Sequence, residues 1–336
     1  MKSWTVSPVE AGTTAWKYVT RLFPEAASGL LRKGMRKKNI TLNGKKMEGK
    51  EKLSAGDRID VWFSDDTISK FQREVRKAGE KSLSFFRSCI VYEDENVLVL
   101  NKPAGLLSQG DGSGSPSLND GLLAYLRNEI TPAFRPSICN RLDRNTSGIV
   151  LAGKNMAALQ ELSELIRSRR IEKTYIAMVW GKTEEKGTFK GWMIKNEREN
   201  RVSYLDHEEP GARLVETRFD GALYPEGALY SVVQVHLITG RSHQIRVHFT
   251  HAGHPLLGDW KYGTKESIAF SERNHIKRQL LHAGKVRFPV LTGTLEALSG
   301  KTFTAEVPDD MRRLTCPEGR EGSEVVRQFG VYSIVW

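Results

Sequence analysis

Cysteine is scarce in this 336-residue chain, and its three copies, Cys89, Cys139 and Cys316, are widely spaced and odd in number. That pattern argues against a disulfide framework and a cysteine-based zinc site, and fits a reducing, cytoplasmic compartment. Long apolar runs are missing too, so no segment reads as a membrane span. Met1-Lys2-Ser3-Trp4 lacks the apolar core of a secretory leader. Acidic residues are outnumbered, 40 against 51 lysines and arginines, leaving a net charge of +11. Such an excess favours a polyanionic partner, most simply nucleic acid. Nucleotide and metal signatures are incomplete. Gly110-Asp111-Gly112-Ser113-Gly114-Ser115 lacks the Gly-x-Gly-x-x-Gly spacing and the Walker lysine, and reads as a flexible loop near a site. His243, His248, His251 and His254 have no carboxylate or cysteine at a recognised ligand spacing, so no metal and no cofactor is expected.

What is present is organised in two parts. Residues 1–63 combine an amphipathic stretch at Trp16–Phe23, a basic stretch at Leu30–Lys38, a strand at Ile40–Leu42, an Asn43-Gly44 turn and a closing strand near Gly56–Trp62. Asn-Gly signals a hairpin because both residues accept positive φ. Arg32, Lys33, Arg36, Lys37, Lys38, Lys45 and Lys46 would line such a unit as phosphate contacts or as a solvated surface. Residues 64–88 are polar and charged and read as a linker with a short helix.

Beyond it, Val97–Asn101, Gly148–Ala152, Thr174–Trp180, Ser231–Leu237 and Thr302–Val307 read as strands, and Leu122–Leu126 as a helix. Asn155 caps a further helix whose apolar positions are Leu159, Leu162, Leu165 and Ile166. Without regular βα alternation this is an α+β pattern with a mixed, largely antiparallel sheet. Residues 313–336 form a tail, apolar enough at Val331–Trp336 to dock.

The most informative segment runs from Asn140 through Arg141-Leu142-Asp143-Arg144-Asn145-Thr146-Ser147-Gly148 into an apolar strand. A polar turn feeding a buried strand holds a side chain rigidly at a cleft rim, and flanking guanidinium groups favour an aspartate's charged form. Asp143 is thus a candidate nucleophile or base; the alternative is a structural Arg-Asp-Arg ion-pair turn. Cys139, four residues away, has no evident histidine partner and reads as a small buried hydrophobe. In Ser242–Gly253, Ser242 fits an N-cap and Gly253 the residue beyond a helix end. Ile245, Phe249 and Ala252 would then share the buried face, leaving Arg246 free to point into a cleft.

Asn140–Gly148 closely resembles the catalytic-aspartate motif of the RluA family of pseudouridine synthases, with Asn140 where histidine is most common. Further matches follow in family order: Glu93–Gly105, Lys173–Gly181, Ile238–Phe249 continuing to Gly258-Asp259, and Leu281-His282-Ala283. Residues 89–312 therefore resemble that family's catalytic domain, and residues 1–63 resemble the S4-like RNA-binding domain that often precedes it. The resemblance implies a pseudouridine synthase fold with a central mixed sheet and a cleft across it.

It also implies a reaction that detaches uracil, rotates it and rejoins it through carbon 5, without redox change, group donor or metal. Asp143 would be the nucleophile, attacking the anomeric carbon or carbon 6 or assisting elimination to a glycal. Tyr175 would pack against uracil and serve as a base, and Arg246 would pair with the aspartate. Lys102, Arg141 and Arg144 are carried over as substrate-binding residues, Arg144 filling the space of the flipped base. The expected partner is ribosomal RNA, with transfer RNA as the alternative substrate. A non-catalytic RNA-binding or ribosome-assembly protein on the same fold is the competing reading, and a metal-dependent nuclease a distant one.

Overall fold

The computed structural model describes residues 1–71, 80–131, 134–225 and 227–315. The N-terminal unit contains β1 (Lys2–Thr5), α1 (Ala15–Leu22), α2 (Ser28–Arg36), β2 (Ile40–Leu42), β3 (Lys45–Lys46), β4 (Arg58–Val61) and α3 (Asp65–Phe71). Its strands form a separate sheet in the order β1-β4-β2-β3. Asn43 and Gly44 both take positive φ, as the two-residue hairpin requires. Tyr18, Leu22, Leu31, Met35, Ile40 and Ile59 fill a core of its own.

The second unit contains α4 (Glu80–Ser88), β5 (Ile90–Glu93), β6 (Val97–Lys102), α5 (Leu118–Tyr125), β7 (Ser137–Ile138), β8 (Ser147–Gly153), α6 (Met156–Arg167) and β9 (Glu172–Trp180). It continues with β10 (Gly187–Asn196), β11 (Arg201–Leu205), β12 (Arg213–Leu223), β13 (Tyr230–Leu237), α7 (Gln244–His251), α8 (Lys265–Arg273), β14 (Leu281–Arg287), β15 (Thr302–Thr304) and α9 (Asp309–Thr315). One large sheet runs β11-β10-β12-β13-β9-β14-β8-β6-β5, with β15 added to β14 and β7 to β8. Every pairing in it is antiparallel except β14 with β8. The expected mixed, largely antiparallel sheet is therefore what forms.

β8 explains why its sequence is apolar at every position rather than alternating. Val150 and Ala152 face a core shared with Leu122, Ile245 and Phe249, while Ile149 and Leu151 face a second core with Leu162 and Leu165 of α6. A strand covered on both faces has no solvent side to mark. Asn155 caps α6 as expected, its side chain accepting from the Ala158 N–H.

Several expectations change. The stretch 64–88 is not a bare linker: Ile68 of α3 is buried in the N-terminal core and Phe86 of α4 in the catalytic core. One fully buried apolar residue in each helix, joined in α3 by the partly buried Phe71, is hidden by the polar residues around it. Residues 72–79 lie outside the described residues. The strand expected at Thr302–Val307 ends at Thr304, because pairing to β14 stops there and the chain turns into α9. α9 runs to Thr315, past the expected boundary at 312, and Met311 is fully buried. The docking segment Val331–Trp336 and Cys316 lie outside the described residues.

Candidate active site

Asp143 sits on the turn that enters β8, and neighbouring groups hold that turn from several sides. Asn140 Oδ1 accepts from the Leu151 N–H at 2.8 Å and its Nδ2 donates to Ile149 O at 3.3 Å. An asparagine amide supplies the one acceptor and one donor needed there, so Asn140 acts as a backbone clamp. Ser108 Oγ accepts from Leu142 N–H at 3.0 Å and donates to Leu142 O at 2.7 Å. The Asp143 carbonyl accepts from the Thr146 N–H at 3.0 Å, closing the turn. Arg278 Nη1 donates to Asn145 O at 3.2 Å while its other nitrogens grip Asp310 of α9. Gly148 takes φ +114°, and a β-carbon there would lie 2.2 Å from Ala283 O. Only glycine lets β8 meet β14 in parallel directly after the turn.

Lys102 is placed beneath this turn and not in the cleft, which corrects its expected role as a substrate-binding residue. It is fully buried, and its Nζ donates to Pro103 O, Leu106 O and Arg144 O at 3.0, 2.8 and 3.0 Å. Burial pushes its ammonium down, to about 7, with the Asp143 charge opposing. Three carbonyl acceptors match the three N–H donors of the charged form. With all three used, it ties the Pro103–Leu106 loop to the aspartate turn.

Arg246, on α7, reaches the aspartate. Its Nη1 donates to Asp143 Oδ2 at 2.9 Å, while Nε and Nη2 donate to Asp259 Oδ2 and Oδ1 at 2.7 and 2.9 Å. Asp259 is 1% exposed at its side chain, Arg246 8% and Asp143 26%, so the ion pair deepens away from the cleft. Burial alone would lower the Arg246 pKa; the hydrogen bonds and charge of Asp259, then Asp143, hold it well above its usual value. Among the described residues no donor reaches Asp143 Oδ1. Neither Arg141 nor Arg144 pairs with Asp143, which excludes the Arg-Asp-Arg ion-pair turn. Both are exposed, and Arg144 Nε donates to Gly105 O at 3.0 Å.

α7 begins differently from expectation. His243, not Ser242, precedes the helix, in a left-handed conformation with φ 55° and no side-chain cap. Gln244 anchors the helix start instead, accepting from Thr239 Oγ1 and donating to Glu216 O and Thr217 Oγ1. Gly253 ends the helix as expected, at φ +82°, with its N–H donating to Thr250 O and that of His254 to Phe249 O. Ala252 is exposed rather than buried, since the helix stops before a third apolar turn forms.

The four histidines have separate partners: His243 with Tyr262, His248 with Thr217, His251 with Asp206 and His254 with Trp180 O. His243 is the one near the aspartate, its Nε2 4.0 Å from Asp143 Oδ2 and its Nδ1 2.8 Å from the Tyr262 hydroxyl. Burial keeps it neutral, with Arg246 and Lys261 reinforcing that and Asp143 opposing. The Tyr262 ring also lies 5.0 Å from the Arg246 guanidinium carbon. Asp259, His243 and Tyr262 were not foreseen as site residues. Gly258-Asp259 was part of a recognised motif, but only the fold shows the carboxylate gripping Arg246.

Tyr175, on β9, is 6% exposed in the core beneath the cleft. Burial first, then the Asp143 charge, raises its pKa and keeps the phenol protonated. Cys139 faces the α6 core, with burial pushing its thiol up to about 12, so it offers no thiolate.

The profile described as RNA pseudouridylate synthase matches residues 96–251, which include all three of Asp143, Tyr175 and Arg246. The ribosomal large subunit pseudouridine synthase C of Vibrio vulnificus (strain CMCP6) is 32% identical over 288 residues, 83% of this chain and 85% of that one. Its namesake in Yersinia pestis is 30% identical over 325 residues, 93% of each chain. Among solved structures, human RNA pseudouridylate synthase domain containing 4 shares the fold, with a TM-score of 0.54 at 21% identity, over 70% of this chain and 97% of that one. The chain therefore belongs to the RluA-type family of RNA pseudouridine synthases.

Proposed function

We propose that this enzyme converts specific uridines of large-subunit ribosomal RNA to pseudouridine, with Asp143 as the nucleophile. The observation that carries the reading is the Asp143–Arg246–Asp259 chain, which fixes one aspartate oxygen by a buried arginine and leaves the other without a donor among the described residues. In the reaction the bond from the anomeric carbon to N1 breaks and one from the anomeric carbon to carbon 5 forms, while carbon 5 loses a proton and N1 gains one, so the change is an isomerisation. On this reading Asp143 Oδ1 is the reacting atom, attacking the anomeric carbon or carbon 6 or assisting elimination to a glycal. Arg246 holds the carboxylate in position, because its guanidinium is itself pinned at two nitrogens. Tyr175, held protonated, packs its ring against the detached uracil. Arg141 and Arg144, exposed on the same turn, contact RNA, and Arg144 fills the space left by the flipped base.

Ribosomal RNA is favoured over transfer RNA by the relatives, whose names specify the large ribosomal subunit and whose lengths this chain nearly spans. A cytoplasmic location goes with that substrate; among the described residues no helix is long and apolar enough to cross a membrane. Residues 1–63 act as an S4-like RNA-binding domain, supported by the exposure of Arg32, Lys33, Arg36, Lys37, Lys38, Lys45 and Lys46. The test is tritium release from carbon 5 of labelled uridine in unmodified ribosomal and transfer RNA. Wild-type protein should release tritium from ribosomal RNA, and Asp143→Asn should release none while still binding it. Full activity in the variant would end the nucleophile assignment; release from transfer RNA alone would reassign the substrate.

A further inference from the structure

A cavity of about 720 Å³ opens where β9, β10, β12 and β13 meet. Arg169, Lys173, Lys186 and Arg218 line it, together with His236. Asp220 and Glu172 are the acidic residues of the lining. Asp220 is held by His236 at 3.0 Å, and Arg218 by Glu216 of its own strand. Arg169, Lys173 and Lys186 have no ion-pair partner among the described residues.

Lys173 is the unusual member. It lies two residues before Tyr175 on β9, on the same face of the strand and roughly 7 Å along it. A β-carbon at Gly240 would lie 3.5 Å from its Nζ, so the ammonium reaches the segment that leads from β13 into α7 and Arg246. No hydrogen-bond acceptor among the described residues receives its protons, and burial lowers its pKa with no opposing charge. A partly desolvated cation without a counter-ion is costly in the free protein, and that cost is relieved when an anion enters.

We propose that this cavity binds a backbone phosphate of the RNA strand beside the target uridine, with Lys173 as the central contact and Arg169 and Lys186 at the rim. The proposal rests on the pseudouridine synthase reading, because the same strand carries Lys173 to the cavity and Tyr175 to the uracil. A strand that threads past Tyr175 would then be gripped on both sides of the flipped nucleotide, by the Arg141–Arg144 turn on one and by Lys173 on the other. Phosphate contacts of this kind position the RNA without reading its bases.

The experiment measures binding of a labelled large-subunit ribosomal RNA fragment at several salt concentrations, in the Asp143→Asn background so that no turnover intervenes. Adding Lys173→Met should weaken binding about five- to tenfold and flatten the salt dependence by about one unit, while Lys173→Arg should hold both near the parent. Arg169→Ala, at an exposed position, should move both quantities in the same direction without affecting folding. With Asp143 restored, Lys173→Met should raise KM by a similar factor and leave kcat within about twofold at saturating RNA. Unchanged affinity and salt slope in Lys173→Met would overturn the proposal, as would a fall in kcat with KM unchanged. Wild-type tritium release on the same RNA is a separate readout: its absence would refute the activity, whereas the phosphate site stands or falls on binding alone.

Discussion

Replacing Asp259 by asparagine changes one side-chain atom and tests whether Arg246 needs its second carboxylate. In the native site Asp259 accepts from Arg246 Nε at 2.7 Å and Nη2 at 2.9 Å, and its Oδ1 also accepts from the Lys261 and Tyr262 N–H groups. With the amide oxygen kept at the backbone donors, the new NH2 group faces Arg246 Nε–H, donor against donor. Breaking a buried, hydrogen-bonded ion pair costs about 3–5 kcal/mol, and the retained acceptor brings the expected loss to about 2–4 kcal/mol. The same change frees the guanidinium to shift, and a displacement of about 1 Å at a reacting group costs about a hundredfold in rate. Asp259→Asn should therefore lower both the urea midpoint and, at a temperature where it remains folded, the single-turnover rate of tritium release. A variant destabilised as expected but releasing tritium within about threefold of wild type would refute the idea that Asp259 positions Asp143 through Arg246.

Acid should destabilise the fold through two buried histidines. His282 donates from Nε2 to Ala305 O and accepts at Nδ1 from Ser147, and His248 meets Thr217. Burial lowers both to about 4. The folded protein thus holds them neutral where the unfolded chain, near 6.5, takes up protons. The stability they contribute is present above about 6.5 and is lost as pH falls toward 4, by roughly 2–3 kcal/mol each. Thermal unfolding between pH 7 and 4.5 should show that decline, and His282→Gln should make it shallower; a flat profile in wild type would contradict the assignment. For the N-terminal unit, replacing Arg32, Lys33 and Arg36 together by alanine should weaken RNA binding and flatten its salt dependence by about 0.9 for each cation that meets a phosphate. Identical binding at every salt concentration would remove RNA from that surface.

Much of the architecture was legible because burial leaves periodic marks. The apolar runs of β6, β8, β9 and β13, the asparagine cap of α6 and the Asn43-Gly44 hairpin all follow from local chemistry. β10, β11 and β12 were missed, since strands rich in polar, half-exposed residues carry little pattern. The stretch holding α3 and α4 was read as a linker with a short helix, because few apolar residues stand among its many polar ones. Lys102 misled because a lysine beside a recognised motif suggests a ligand contact, and nothing local reveals that three carbonyls from 1, 4 and 42 residues away converge on it.

Asp143 could be singled out from the chain alone, because a polar turn before an apolar strand and an ordered set of motifs are one-dimensional signals. Its partner set could be known only from the fold. Arg246 lies 103 residues away and Asp259 a further 13, and they meet the aspartate only because α7 packs over the sheet beside the β8–β14 junction. Side-chain chemistry and periodicity are written residue by residue, but an ion pair across such a separation exists only once long-range packing has fixed both backbones within a few ångströms.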